Sequence, residues 1–134
     1  MRVIIFGCGK LGAFLARSLA KGEFEVTVID RNPRAFRQLG PDFSGKTIIG
    51  TGIDEDILKE ADIQNADAFV AVTDGDKINI MSALIAKEMY GISKVIARVA
   101  DPGIGAIYKD LGLKILCPTS LGTETIYKIL QNQK

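Results

Sequence analysis

The sequence has no histidine and no tryptophan, and only two cysteines and four prolines among 134 residues. Without histidine the commonest general base and metal ligand is missing, and so are the Ser/His and Cys/His nucleophilic pairs, which excludes most hydrolase chemistry. Cys8 and Cys117, one near each end, are too few for a disulfide framework or a CxxC metal site and read as small core or loop residues. No apolar run approaches the roughly 20 residues that span a bilayer. The N-terminal run Val3 to Phe6 stops at a glycine loop and is too short for the hydrophobic region of a signal peptide, so a cytosolic chain is expected. Neither sign of charge dominates: the net charge is +1, without the basic excess of a dedicated nucleic-acid binder. With 47% hydrophobic and 25% charged residues the chain is not disordered, and a small ligand or a protein partner is expected. The length suits a single domain over 1–134, with no room for separate cofactor and substrate domains.

What is present is an alternation. Runs of β-branched and apolar residues at Arg2 to Phe6, Glu25 to Asp30, Lys46 to Gly50, Ala68 to Thr73, Lys94 to Val99 and Lys114 to Cys117 predict six strands. Between the first two, Leu11, Phe14, Leu15, Ser18 and Leu19 recur at helical spacing, with Gly22 as a stop, and predict an amphipathic helix packed by that face on a sheet. Pro33 to Leu39, Asp54 to Ala61, Asp76 to Tyr90, Gly103 to Leu111 and Ser120 to Leu130 continue the alternation as helices. Strands joined by helical crossovers give a parallel sheet. The expected fold is therefore α/β, a Rossmann-like doubly wound parallel sheet of order 3-2-1-4-5-6. That order separates the strand ends carrying Cys8 and Cys117 by roughly 14 Å, too far for a disulfide.

Gly7, Cys8, Gly9, Lys10, Leu11 and Gly12 spell GxGxxG between the first strand and the first helix. In that setting the first glycine permits the turn, the second lets backbone approach a pyrophosphate and the third lets helix and strand pack closely, while the helix N-terminus attracts the phosphate. Asp30 ends the second strand about 20 residues on, where a carboxylate can accept hydrogen bonds from both hydroxyls of an adenosine ribose. Nucleotide binding is the expectation; the alternative is that the glycines serve packing and Asp30 caps the following segment. The charge of Asp30 would repel a 2'-phosphate and favours NAD over NADP, although Arg31 could partly offset that repulsion. Lys10 could place a positive charge beside a phosphate or stand as a surface lysine.

Other candidates carry no catalyst. Asp54, Glu55, Asp56 and Glu60 look like a carboxylate cluster, but acids in a helix's first turn complement its dipole and are usually solvated. Thr73, Asp74, Gly75 and Asp76 follow the fourth strand beside the glycine loop; a ribose or phosphate contact there competes with plain helix capping by Asp76. Arg98 could face the same crevice or pair with an acid. Tyr90 and Lys94 have the YxxxK spacing of short-chain dehydrogenases, but Gly91 ends the helix and Lys94 opens a strand, so the two need not share a face.

On GCGKLG (Gly7 to Gly12), VIDRN (Val28 to Asn32), VAVTDGDKIN (Val70 to Asn79), VIARVADP (Val95 to Pro102) and LGLKILCP (Leu111 to Pro118), the chain resembles the TrkA N-terminal family, the RCK or KTN nucleotide-binding domain. The resemblance covers nearly the whole chain. It implies a regulatory subunit rather than an enzyme, which binds an adenine nucleotide, NAD(H) or ATP/ADP. It also implies dimers, of like or unlike subunits, assembled into cytoplasmic gating rings at the inner face of the cell membrane on a potassium channel or transporter subunit. Lys10 takes the place of a phosphate-contacting basic residue. Two departures stand out. Many members carry an acid after the glycine that ends the third strand, where this chain has Gly50, Thr51 and Gly52, the residues expected around the adenine. Some carry a cation-binding glutamate after the proline that ends the sixth strand, where Thr119 follows Pro118, so no metal site is carried over. The C-terminal ligand-binding lobe of many members is not in this sequence, and a longer chain or a partner would supply it. The other reading, from the glycine motif and the YxxxK spacing, is a small NAD-dependent oxidoreductase or a subunit of one.

Overall fold

A computed structural model describes residues 1–132. The domain expected over 1–134 includes 133 and 134, which lie outside the described residues. The six strands are β1 (Arg2–Phe6), β2 (Glu25–Asp30), β3 (Lys46–Ile49), β4 (Ala68–Ala71), β5 (Lys94–Arg98) and β6 (Lys114–Leu116). The α-helices are α1 (Lys10–Ala20), α2 (Glu55–Glu60), α3 (Asp76–Tyr90), α4 (Pro102–Tyr108) and α5 (Pro118–Gln131). All strand pairs are parallel in the order β3-β2-β1-β4-β5-β6, as expected.

Residues alternate across the sheet and build a core on each face. Ile4 and Phe6 of β1, with Ile29, Phe69 and Ala71, pack against Leu58 of α2 and Ile80, Ala83 and Ala86 of α3. Val3 and Ile5, with Val26, Val28 and Val70, pack against Ala13 and Ala16 of α1 and against Leu39. Strand order reverses between β1 and β4, whose ends meet at Phe6 and Ala71, and this opens a crevice above the sheet's C-terminal edge. No helix among the described residues is long and apolar enough to cross a membrane.

Several expectations are corrected. Pro33–Leu39 is a 3-10 helix rather than an α-helix: Asn32 caps it by accepting from the Arg34 N–H at 3.0 Å, and Gly40, at φ 80°, ends it. The helix expected from Gly103 begins at Pro102, capped by Asp101, and passes into a 3-10 turn at Lys109–Leu111. β3, β4, β5 and β6 stop at Ile49, Ala71, Arg98 and Leu116, short of Gly50, Thr73, Val99 and Cys117, because the chain turns into the crevice loops. Helix α1 closes at Lys21, and Gly22 is not among the left-handed residues.

The largest correction concerns the buried face of α1. Its contact face consists of Gly12, Ala13 and Ala16; Leu15 and Leu19 are half-buried, whereas Leu11 and Phe14 are exposed, Phe14 by 69%. The reason is steric. A Cβ on Gly12 would collide with the Gly7 carbonyl oxygen, so the helix start lies directly on the strand end and small residues must line the contact.

Candidate functional site

The glycine loop is held by its neighbours from both sides. Gly7 sits at φ 112°, and a Cβ there would come within 2.8 Å of the Thr73 nitrogen, so the loops after β1 and β4 are in direct contact. The Cys8 N–H donates to Asp30 Oδ2 at 2.7 Å, and the Cys8 carbonyl accepts from Gln38 Nε2 at 3.1 Å. The Cys8 thiol points away from the crevice, buried, and donates to the Ala35 carbonyl at 3.4 Å. Burial, and then the Asp30 charge, push this thiol from 9.0 up to about 11. Both cysteines are free, as the strand order requires. Cys117 caps no group with its side chain at the start of α5, and the bond from the Ser120 hydroxyl holds its thiol below the ordinary range.

Asp30 does not simply cap the segment after β2. One oxygen accepts from Cys8 and the other from the Asn32 N–H at 2.8 Å, which fixes the half-buried carboxylate against the loop and leaves each oxygen a further lone pair. Arg31, next to it, is exposed. Gly9 precedes α1 with no side-chain cap, and a Cβ there would meet nothing within 4 Å, so an open cradle lies over the first-turn N–H groups of Lys10, Leu11 and Gly12.

Beyond the loop, on the β4–β6 side, a cavity of about 630 Å³ is lined by Gly9, Lys10, Phe14, Arg98, Leu116 and Leu121 among others. Leu11, Val72, Asp74 and Pro118 also border it. Asp30 stands outside it, at the other end of the glycine loop. Arg98 both faces the crevice and approaches an acid: its Nη1 donates to the Thr73 carbonyl at 3.1 Å and lies 3.9 Å from Asp74. Gly75 opens α3 without a side-chain cap. Asp76 neither caps α3 nor turns to the crevice, for its carboxylate accepts from the N–H groups of Ala100 at 2.8 Å and Asp101 at 3.2 Å.

On the β3 side, Gly52 is buried where a Cβ would strike the Phe6 ring, and Thr51 follows the Gly50 N–H that donates to the Asp30 carbonyl at 2.9 Å. The Thr51 hydroxyl is buried without a protein partner. An open glycine cradle with a fixed carboxylate at its edge fits a nucleotide.

Sequence reasoning missed the residue that holds the second half together. Asn79 is fully buried and uses all its hydrogen-bonding capacity: Oδ1 accepts from the Thr73 N–H at 3.0 Å and the Thr73 hydroxyl at 2.6 Å, and Nδ2 donates to the carbonyls of Thr73 and Arg98, both at 2.9 Å. Its signal was a polar residue on the core face of α3. Gln38 was missed as well, and only its fold position reveals it. Among the remaining candidates, Asp54 caps α2 by accepting from Asp56 N at 2.9 Å, and Glu55 pairs with Lys59 at 3.1 Å. Tyr90 ends α3 packed on the core, Gly91 turns at φ 67° and Lys94 opens β5, exposed, so these two form no pair on one helix face.

A parallel six-stranded sheet with a glycine loop at its switch point defines the Rossmann-like class. Within that class, the TrkA-N domain family matches residues 3–118, and the chain belongs to it. The Trk system potassium uptake protein TrkA of Streptomyces coelicolor is 45% identical over 113 residues, which are 84% of this chain and 51% of that protein. The chain spans about half the length of the curated relatives it matches. The AMP-bound Kef C-terminal domain of Shewanella denitrificans superposes with a TM-score of 0.77 at 23% identity, over 100% of this chain and 83% of that one. The GsuK channel bound to NAD superposes with a TM-score of 0.70 at 21% identity, over 87% of this chain and 21% of that one. At these identities the likeness shows the fold.

Proposed function

We propose that this domain is a nucleotide-binding regulatory module of a potassium transport system, in which an adenine nucleotide, NAD(H) or ATP/ADP, biases the gating of a membrane pore from the cytoplasmic side. The observation that carries the reading is the glycine loop itself, with an uncapped helix start over an open cradle and the fixed Asp30 carboxylate at its edge. Asp30 would take the ribose hydroxyls, the N–H groups of α1 and the charges of Lys10 and Arg98 would take the phosphates, and Thr51 and Gly52 would border the adenine. The family and the potassium uptake relatives support the transport role. The nucleotide is then a signal, and its leverage is the difference in its affinity for two states of the assembly, typically about 1 to 3 kcal/mol.

The test is thermal unfolding with AMP, ADP, ATP, NAD, NADH and NADP, each read against the same protein without ligand. At least one ligand with both ribose hydroxyls free stabilises the chain, by about 2.7 kcal/mol at a hundredfold excess over its dissociation constant. Asp30→Asn loses most of that shift, and no shift from any nucleotide refutes the reading.

Assembly is part of the proposal. Helix α5 buries none of its residues, and Ile126, Ile129 and Leu130, at helical spacing, stand exposed by 60%, 66% and 74%. We assign this stripe to contact with a second copy in a ring. Ile126→Glu with Ile129→Glu then lowers the mass seen in sedimentation, and an unchanged mass removes the assignment.

A further inference from the structure

The outward side of α1 and of the adjoining 3-10 helix carries a row of cations that the chain does not answer. On α1, Phe14, Arg17 and Lys21 share one exposed stripe at i, i+3 and i+7, opposite the buried Gly12, Ala13 and Ala16. On the 3-10 helix, Arg34 and Arg37 are one three-residue turn apart, and this tighter winding stacks them where an α-helix would fan them out. Ala35, Phe36 and Leu39 pack inward, which turns both arginines to solvent.

The ion pairs formed among the described residues belong to Arg2, Lys59, Lys87 and Arg98, not to this face. Beside Arg17 and Lys21 a groove of about 280 Å³ adds one carboxylate, Asp42. Four acids, Asp54, Glu55, Asp56 and Glu60, lie at α2, which packs on the opposite face of the sheet, and Glu23 stands exposed two residues after Lys21.

We propose that this basic face docks on the anionic surface of a phospholipid bilayer. A protein interface places an apolar core at its centre. Here long cationic side chains cover the centre and one exposed aromatic, Phe14, stands at the crevice end, which is the composition of a peripheral bilayer contact. The inference holds whether or not the crevice takes a nucleotide.

Co-sedimentation of the full chain with vesicles tests it, using phosphatidylcholine alone and phosphatidylcholine mixed with phosphatidylglycerol. Binding is expected to the anionic vesicles and to fall with added salt. Arg34→Gln with Arg37→Gln, and Arg17→Gln with Lys21→Gln, each leave thermal unfolding unchanged and weaken partitioning by about five-fold per residue, equivalent to about 1 kcal/mol. No binding, equal binding to both vesicles, or full binding by both variants overturns the proposal. So does self-association at low salt that the same substitutions abolish, which would give the face to the acidic side of a second copy.

Discussion

The two flanks of the crevice are built differently. On the β2 flank, the glycine loop is fixed by contacts to its own backbone: Asp30 accepts from the Cys8 N–H, Gln38 donates to the Cys8 carbonyl, and Gly12 lies against the Gly7 carbonyl. On the β4–β6 flank the walls are side chains from distant elements, and their order depends on the buried Asn79, which ties the Thr73 loop to the end of β5. One flank is held close because a side chain at Gly7 or Gly12 would strike backbone. The other holds its shape through one buried amide with four partners.

Three measurements separate the flanks, beginning with the largest effect. Gly12→Ala forces a methyl group into the Gly7 carbonyl, and backbone cannot yield as a side chain would; urea unfolding is expected to show a loss of about 3 kcal/mol. Asn79→Ala leaves the Thr73 N–H and the Arg98 carbonyl buried without partners, at about 2 to 3 kcal/mol in the same experiment. Its decisive readout is nucleotide affinity at fixed fold: the β4–β6 flank loosens, while the β2 flank and its ribose preference stay. If Asn79→Ala abolished ribose discrimination as well, the two flanks would be one unit.

The smallest effect concerns Cys8. Its thiol ionises at about 11 in the folded chain against 9.0 when unfolded, so the unfolded chain releases this proton first as pH rises. The contribution is fully present below pH 9.0 and is lost by about pH 11. It amounts to about 3 kcal/mol. Chemical unfolding across that window, compared with Cys8→Ala, isolates the contribution of this thiol; parallel curves for the two proteins would show that Cys8 ionises at the same pH in both states and would remove the prediction.

The β2 flank was legible in the sequence because its chemistry is local. GxGxxG and the acid closing the next strand impose one backbone path, and each member lies within one βαβ unit. The β4–β6 flank was legible as loops but not as a braced structure. Thr73, Asp74 and Arg98 were placed in the crevice, while Asn79, Phe14, Leu116 and Leu121 were not. Helical periodicity even pointed the wrong way on α1, since it ranked Leu11 and Phe14 with the buried face, when the close approach of Gly12 to Gly7 reserves that face for glycine and alanine. Asp76 likewise looked like a cap and instead bridges to the loop after β5.

The order of residues alone determined the alternating elements, the parallel sheet and its strand order, because short crossovers between apolar strands admit few other topologies. It also determined where a phosphate would meet bare backbone. Tertiary structure decided which apolar side chains line the cavity, which polar side chain braces it, and which cations come together on the outward side of α1 and the 3-10 helix. Those outcomes depend on contacts between segments far apart in the chain, and no local pattern encodes which of two possible neighbours a side chain will meet.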